Sequence, residues 1–279
     1  MPDIVPCAGP LGARIEGLDR DSAGEPAVAA LLNRALAEHL LVVVPGACMT
    51  PEQTLAFSRA FGTPRTQLLR YKRSGAVPEV SVMVSTLMAD GSTDKTAIRA
   101  EDWHTDDSYF AVPAKATLLH AIEIPSRGGA TWFCNMHAVY EALPEATRKR
   151  IDGLRAVHGY DTPRARNRPS PRTPQEIAET PDVEHPLVRT HPETGRKALY
   201  LNPNRLDRIV GLERAESDAL LDELIAEARK PEHHFGHVWT KGDIVIWDNR
   251  ANMHRVVIDY PEGEPRIMQR VLIEGEKPV

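Results

Sequence analysis

Arg266-Ile267-Met268-Gln269-Arg270-Val271-Leu272-Ile273 is the stretch on which the fold turns. Period-two counting puts Arg266, Met268, Arg270 and Leu272 on one face and Ile267, Gln269, Val271 and Ile273 on the other. Apolar residues on both faces predict a strand that is covered on both sides. Two guanidinium groups on one such face are costly unless they meet anions. Guanidinium forks grip carboxylates through paired hydrogen bonds, so this face is a candidate surface for binding small acids. Internal ion pairs to aspartate or glutamate are the alternative, and they suit Arg270 better than Arg266.

Outward from this stretch, short runs at 79–85, 117–124, 131–134, 187–190, 198–202, 237–240 and 243–247 also read as strands. Pro192-Glu193-Thr194-Gly195 and Lys241-Gly242 between them read as hairpin turns. Val28, Leu31, Leu32, Ala35 and Leu36 recur at helical spacing and predict a helix over 25–39, followed directly by a buried strand at 40–44. Thr50, Pro51 and Gln53 form a helix start with a capping box, and Gly62 ends that helix near Phe61. Leu220, Leu221, Leu224, Ile225 and Ala228 mark a helix over 216–229, and a further helical region spans 137–151 with a reset at Pro144. Many short strands without alternating long helices predict a mainly β chain with flanking helices, a sandwich or jelly roll rather than a parallel α/β sheet. One domain over 1–279 is expected, without internal repeats.

At 279 residues the chain can bury a substantial core, and 42% hydrophobic with 26% charged residues is ordinary for a globular protein. A net charge of −5 disfavours nucleic acid and anionic membrane as partners. No segment approaches the roughly 20 apolar residues that a membrane span needs. The N-terminus lacks a secretion signal, and Cys7, Cys48 and Cys134 form no CxxC pair, so a reducing cytoplasm is expected. All three thiols read as small buried hydrophobes. Such a chain is compatible with a homo-oligomer.

Residues 160–186 differ from their surroundings. They hold Pro163, Pro169, Pro171, Pro174, Pro181 and Pro186 among Arg164, Arg166, Arg168 and Arg172. The segment is either a solvated flexible loop or a lid over an anionic substrate. A nucleic-acid patch is disfavoured because no aromatics interleave with the arginines.

Trp103-His104-Thr105-Asp106 is answered downstream by Trp247-Asp248-Asn249-Arg250 and His254. His104 and Asp106 lie two apart, so on an extended segment both side chains project from one face. With His254 they supply two imidazoles and one carboxylate, the set that holds non-haem Fe(II) and leaves adjacent positions open. The same three ligands suit zinc, so a zinc hydrolase or a non-catalytic metal-binding barrel remains open on these residues alone. Among the other histidines, His120 reads as a satisfied core residue, His191 adjoins a turn, and His233 and His234 read as exposed at a helix end.

The Trp103–Asp106 motif, Gly128-Gly129-Ala130-Thr131, Trp247-Asp248-Asn249-Arg250, His254 and the 266–270 stretch together resemble the TauD/TfdA family of Fe(II)- and 2-oxoglutarate-dependent dioxygenases. The likeness extends from about Ile4 to Pro278. It implies a double-stranded β-helix, cupin-like, with iron on His104, Asp106 and His254 and O2 as oxidant. It also implies that Thr131 and Arg266 bind the distal carboxylate of 2-oxoglutarate and that Arg270 faces the primary substrate. The retained Asp106 separates the chain from related halogenases, in which chloride takes that position. Taurine-cleaving members carry an asparagine ahead of this motif and a histidine after Phe61-Gly62, whereas this chain has Arg99-Ala100-Glu101-Asp102 and, near the second position, Gln67 with Arg70 and Tyr71. Gln67, Tyr71 and Tyr109 are therefore the expected substrate contacts, and a small anionic substrate other than taurine is expected, nearer to the aryloxyalkanoate-cleaving branch.

Overall fold

The computed structural model describes residues 1–46, 48–70, 76–87, 100–165 and 170–279. Strands occupy Asp3–Pro6 (β1), Ala13–Glu16 (β2), Leu41–Val44 (β3), Pro64–Arg65 (β4), Ser81–Val84 (β5), Ala116–Glu123 (β6), Thr131–Asn135 (β7) and Arg155–His158 (β8). Further along lie Val183–Pro186 (β9), Val188–Thr190 (β10), Lys197–Leu199 (β11), Leu206–Ile209 (β12), His234–His237 (β13), Ile244–Asp248 (β14), Asn252–Val256 (β15) and Ile267–Ile273 (β16). The helices are Pro26–His39 (α1), Pro51–Ser58 (α2), Met136–Ala142 (α3), Glu145–Ile151 (α4), Pro174–Ala178 (α5) and Arg214–Ala228 (α6).

The largest sheet runs β1-β2-β3-β14-β6-β16-β4, with β5 also on β16. Its central strands are apolar on both faces for a reason visible residue by residue. Val42, Val44, Leu118, Ile244, Ile246, Val271 and Ile273 turn to one side, where Leu32 and Leu36 of α1 and Phe57 of α2 cover them. Leu41, Val43, Leu119, Ala121, Val245, Trp247 and Met268 turn to the other. There a smaller sheet, β13-β7-β15, faces them, and the Phe133 ring sits 5.4 Å from the Trp247 ring. The functional cleft opens between these two sheets.

Several expected elements are present. The Thr50 capping box forms as predicted, and the helix tightens into a 3-10 turn over Arg59–Phe61. Gly62 then stops it at φ 141°, where a Cβ would lie 2.8 Å from Ile273. The Pro192–Gly195 turn closes the β10–β11 hairpin. Lys241-Gly242 instead carries the chain from one sheet to the other, because β13 pairs with β7 while β14 pairs with β3 and β6. The strand expected at 237–240 lies at His234–His237, where it finds its hydrogen-bond partner in β7.

Within 160–186, α5 and β9 are regular structure, and Arg164 and Arg172 are half-buried and tied to other residues. Arg164 pairs with Asp218 and Asp222, and Arg172 stacks 4.1 Å over Tyr160. Arg166, Arg168 and Pro169 lie outside the described residues. Of the thiols only Cys134 is buried; Cys48 lies exposed in the loop between β3 and α2.

Candidate active site

His104 and His254 form an antiparallel bridge, exchanging both backbone hydrogen bonds at 3.0 and 2.8 Å. Directly opposed residues in such a pair point to the same side, and the two rings stand 4.1 Å apart. Asp106, two residues on, joins them: one donor atom from each of the three lies within 4.8 Å of the others. Asp107 adopts the left-handed conformation (φ 58°) and turns the chain away immediately afterwards. His104 Nδ1 donates to the Asp102 carbonyl at 2.9 Å, which leaves Nε2 as the lone-pair nitrogen.

Burial lowers the His104 pKa and pushes His254 well below its ordinary value, so both imidazoles are neutral, the form that ligates metals. Burial acts oppositely on Asp106, but the Arg270 guanidinium, foremost, and the Thr117 hydroxyl counter it. They hold the carboxyl well below the usual carboxylate range. Two neutral imidazoles and an ionised carboxylate converging on one small space are a donor set that fits a divalent cation.

Arg266 lies across the same cleft, 4% exposed. Its Nε donates to the Gly129 carbonyl at 3.2 Å and its Nη2 approaches Thr131 Oγ1 at 3.4 Å. Among the described residues no carboxylate forms an ion pair with it, and burial pushes its pKa down to about 10. Thr131 Oγ1 also accepts from Trp239 Nε1 at 3.0 Å, so its own proton is left to donate into the cleft. A Cβ on Gly128 would sit 2.5 Å from Asp259, and Gly128 and Gly129 have φ of 74° and 69°, so the double glycine lets this loop close on Arg266.

Arg270 has company of a different kind. It lies 3.8 Å from Asp106 Oδ1 and donates to Gln67 Oε1 at 3.0 Å. The internal ion pair that was the alternative for it is thus with the carboxylate of the triad itself. The cleft is otherwise walled by Met83, Val84, Ala100, Leu119, Trp247 and Val256.

The taurine catabolism dioxygenase TauD, TfdA family model matches residues 3–272. The chain belongs to the TauD/TfdA family. It is 33% identical to an alpha-ketoglutarate-dependent sulfate ester dioxygenase of Pseudomonas putida, over 99% of this chain and 91% of that one. It is 34% identical to an (S)-phenoxypropionate/alpha-ketoglutarate-dioxygenase of Sphingobium herbicidovorans, over 98% and 95%. The crystal structure of AAD-2 in complex with Mn(II) and N-oxalylglycine superposes with a TM-score of 0.81 at 30% identity, covering 100% of this chain and 99% of that one. This TauD/TfdA chain is a 2-oxoglutarate-dependent dioxygenase with the mainly β fold of its relatives.

Not every residue singled out in the sequence lines the cleft of this dioxygenase. Gln67 stands behind Arg270 as its hydrogen-bond partner. Tyr109 is not among the residues lining the cleft: its hydroxyl donates to Asp107 Oδ1 at 2.9 Å, and its ring packs on Phe110 and Tyr160. Tyr71 lies outside the described residues. His120 is buried and bonded to Met49 N and Thr54, as expected of a core residue. His191 is fully buried against Asp248, His233 is buried beside Glu227 and His234 is half-buried, so neither of the last two is exposed as expected. Sequence reasoning assigned Thr117 no role and Asn249 a place only within the 247–250 motif, yet both are bonded around Asp106; what a hydroxyl or an amide will hold is not legible until the strands pair.

Proposed function

We propose that this dioxygenase uses Fe(II) on His104, Asp106 and His254 to hydroxylate a small organic acid. Bound there, the metal with 2-oxoglutarate and O2 would supply oxidative decarboxylation to succinate and CO2, coupled to oxygen insertion into a substrate C–H bond. Where the hydroxylated carbon carries a heteroatom, loss of sulfate or an alcohol follows from the instability of that product. Relatives named for sulfate esters and phenoxypropionate favour an anionic substrate of this kind.

The observation that carries the reading is Arg266, a buried guanidinium without an ion-pair partner among the described residues, facing a cleft that also holds the triad. A dry cation of this kind is stabilised by an anion from outside the chain. Arg266 and Thr131 would take the distal carboxylate of 2-oxoglutarate by charge-assisted hydrogen bonds. Arg270 is assigned the acid group of the primary substrate. The apolar walls exclude water and orient the substrate carbon. We assign the two facing sheets to a double-stranded β-helix forming one domain over 1–279, working in the cytoplasm with its three thiols reduced.

The test is anaerobic addition of Fe(II) and 2-oxoglutarate to metal-free protein, watched for a weak visible charge-transfer band. O2 is then admitted and succinate followed across alkyl sulfates and aryloxyalkanoates, with Zn(II) as the inactive control. A band and substrate-dependent succinate are expected. Absence of a band, or equal turnover with Zn(II), would sink the reading.

A further inference from the structure

Behind the triad lies a chain of hydrogen bonds whose direction is set by chemistry alone. The Trp247 indole N–H can only donate, so the Asn249 atom 2.9 Å from it is the amide oxygen Oδ1. Asn249 therefore presents its Nδ2 to Thr117 Oγ1, at 2.8 Å, and donates. Thr117 has one proton left to place, and at 2.7 Å from its hydroxyl lies Asp106 Oδ2, an acceptor. Every member is buried, with Thr117 0% and Asn249 1% exposed, so water does not compete for these bonds.

Asn249 also holds the backbone around the ligand. Its carbonyl accepts from Thr105 Oγ1 at 2.9 Å, and its Oδ1 lies 3.5 Å from the Asp106 amide. Its own N–H donates to the Lys115 carbonyl at 2.9 Å. Thr117 is placed by strand register, because β6 pairs Thr117 with Trp247 of β14.

We propose that Thr117 and Asn249 are positioning residues for the carboxylate ligand: the one-way chain Trp247→Asn249→Thr117→Asp106 holds Asp106 in a single rotation, aimed into the space shared with the two imidazoles. The inference rests on the iron-site reading above. Removing the last donor frees the carboxylate to rotate or to collapse onto Arg270, 3.8 Å from its other oxygen. Partners of this kind set ligand orientation at metal sites, and losing one weakens metal affinity by about 10- to 100-fold.

The test compares wild type, Thr117→Val and Thr117→Ser by Mn(II) titration calorimetry and by the intensity of the Co(II) d–d bands. Valine keeps the shape of threonine and deletes the hydroxyl, while serine keeps the hydroxyl. Thermal unfolding of the metal-free proteins reports whether each variant is folded. Mn(II) binding weaker by about tenfold or more in Thr117→Val, with altered Co(II) bands and near-complete recovery in Thr117→Ser, is expected. A metal-free melting point that falls while Mn(II) affinity and Co(II) bands stay at wild-type values would overturn the proposal, since Thr117 would then be structural only. Equal weakening in both variants overturns it too, because the hydroxyl would not be the cause. If wild type itself binds neither ion, the iron-site reading falls and takes this inference with it.

Discussion

At the scale of single residues, the two cleft arginines differ by what already neutralises them. Arg270 has Asp106 and Gln67 beside it, whereas Arg266 has only the Gly129 carbonyl and the Thr131 hydroxyl. Arg266→Leu is therefore expected to weaken 2-oxoglutarate binding on the order of 100-fold, the cost of losing a buried charge-assisted contact. The metal-free melting point should stay level or rise, because a desolvated cation gives way to an apolar group. Arg270→Leu should instead raise the substrate KM by roughly tenfold or more and leave 2-oxoglutarate affinity nearly unchanged. Equilibrium titration with 2-oxoglutarate and steady-state kinetics separate the two, and parallel losses in both variants would refute the division of labour. The chemical identities of these residues were legible in the sequence. The sequence also favoured Arg270 over Arg266 for an internal ion pair, but not which carboxylate would supply it, since Asp106 lies more than a hundred positions away.

At the scale of elements, α5 shows how part of 160–186 is tied down. Thr173 and Glu176 close a capping box, and Glu176 also accepts from the Arg70 amide at 2.9 Å. These backbone donors hold the Glu176 carboxyl down at about 2. Arg70 reaches on to Glu179, so the helix is clasped to the loop that carries Gln67. Glu176→Gln should loosen the clasp, seen as faster amide exchange and earlier proteolytic cleavage within 170–180; unchanged exchange there would refute it. β9 makes a second connection. His185 Nε2 lies 3.0 Å from both the Ser108 and Phe110 carbonyls, bracing the chain just beyond Asp106. Burial pushes its pKa from 6.5 down to about 4, so unfolding lets it take up a proton at any pH below 6.5. Stability is thus whole above pH 6.5 and lost as pH falls towards 4, at up to roughly 1.4 kcal/mol per pH unit for one such group. His158, against the His185 ring, shifts the same way. Urea midpoints measured from pH 7 to 4 should fall along that window, and His185→Gln should flatten the slope. An unchanged slope in the variant would assign the loss to other groups.

At the scale of the whole molecule, the site exists because strands distant in sequence meet: 41–44, 116–123, 244–248 and 267–273 lie side by side, and 104 bridges to 254. A metal held by these three residues would therefore bind the folded arrangement and not the unfolded chain. At free Mn(II) about 100 times its Kd, linkage should stabilise the fold by about 2.7 kcal/mol. For a chain of 279 residues that is a melting point higher by roughly 4–5 °C, reversed by chelator. A melting point indifferent to metal would argue against a preformed site. What the sequence by itself determined is local: the helix over 26–39, the capping box at Thr50, the Pro192–Gly195 turn, the alternation along 266–273, and the two-residue spacing of His104 and Asp106. Each rests on residues within one or two turns of one another, where propensity and period suffice. The tertiary structure decided the strand register that opposes His104 to His254 and the left-handed turn at Asp107 with the Tyr109 hydroxyl bonded to it. It also decided the direction of the hydrogen bonds that reach Asp106 through Thr117 and Asn249. Those outcomes depend on pairing between distant segments, and no local preference specifies which strand a given hydroxyl or carboxylate will meet.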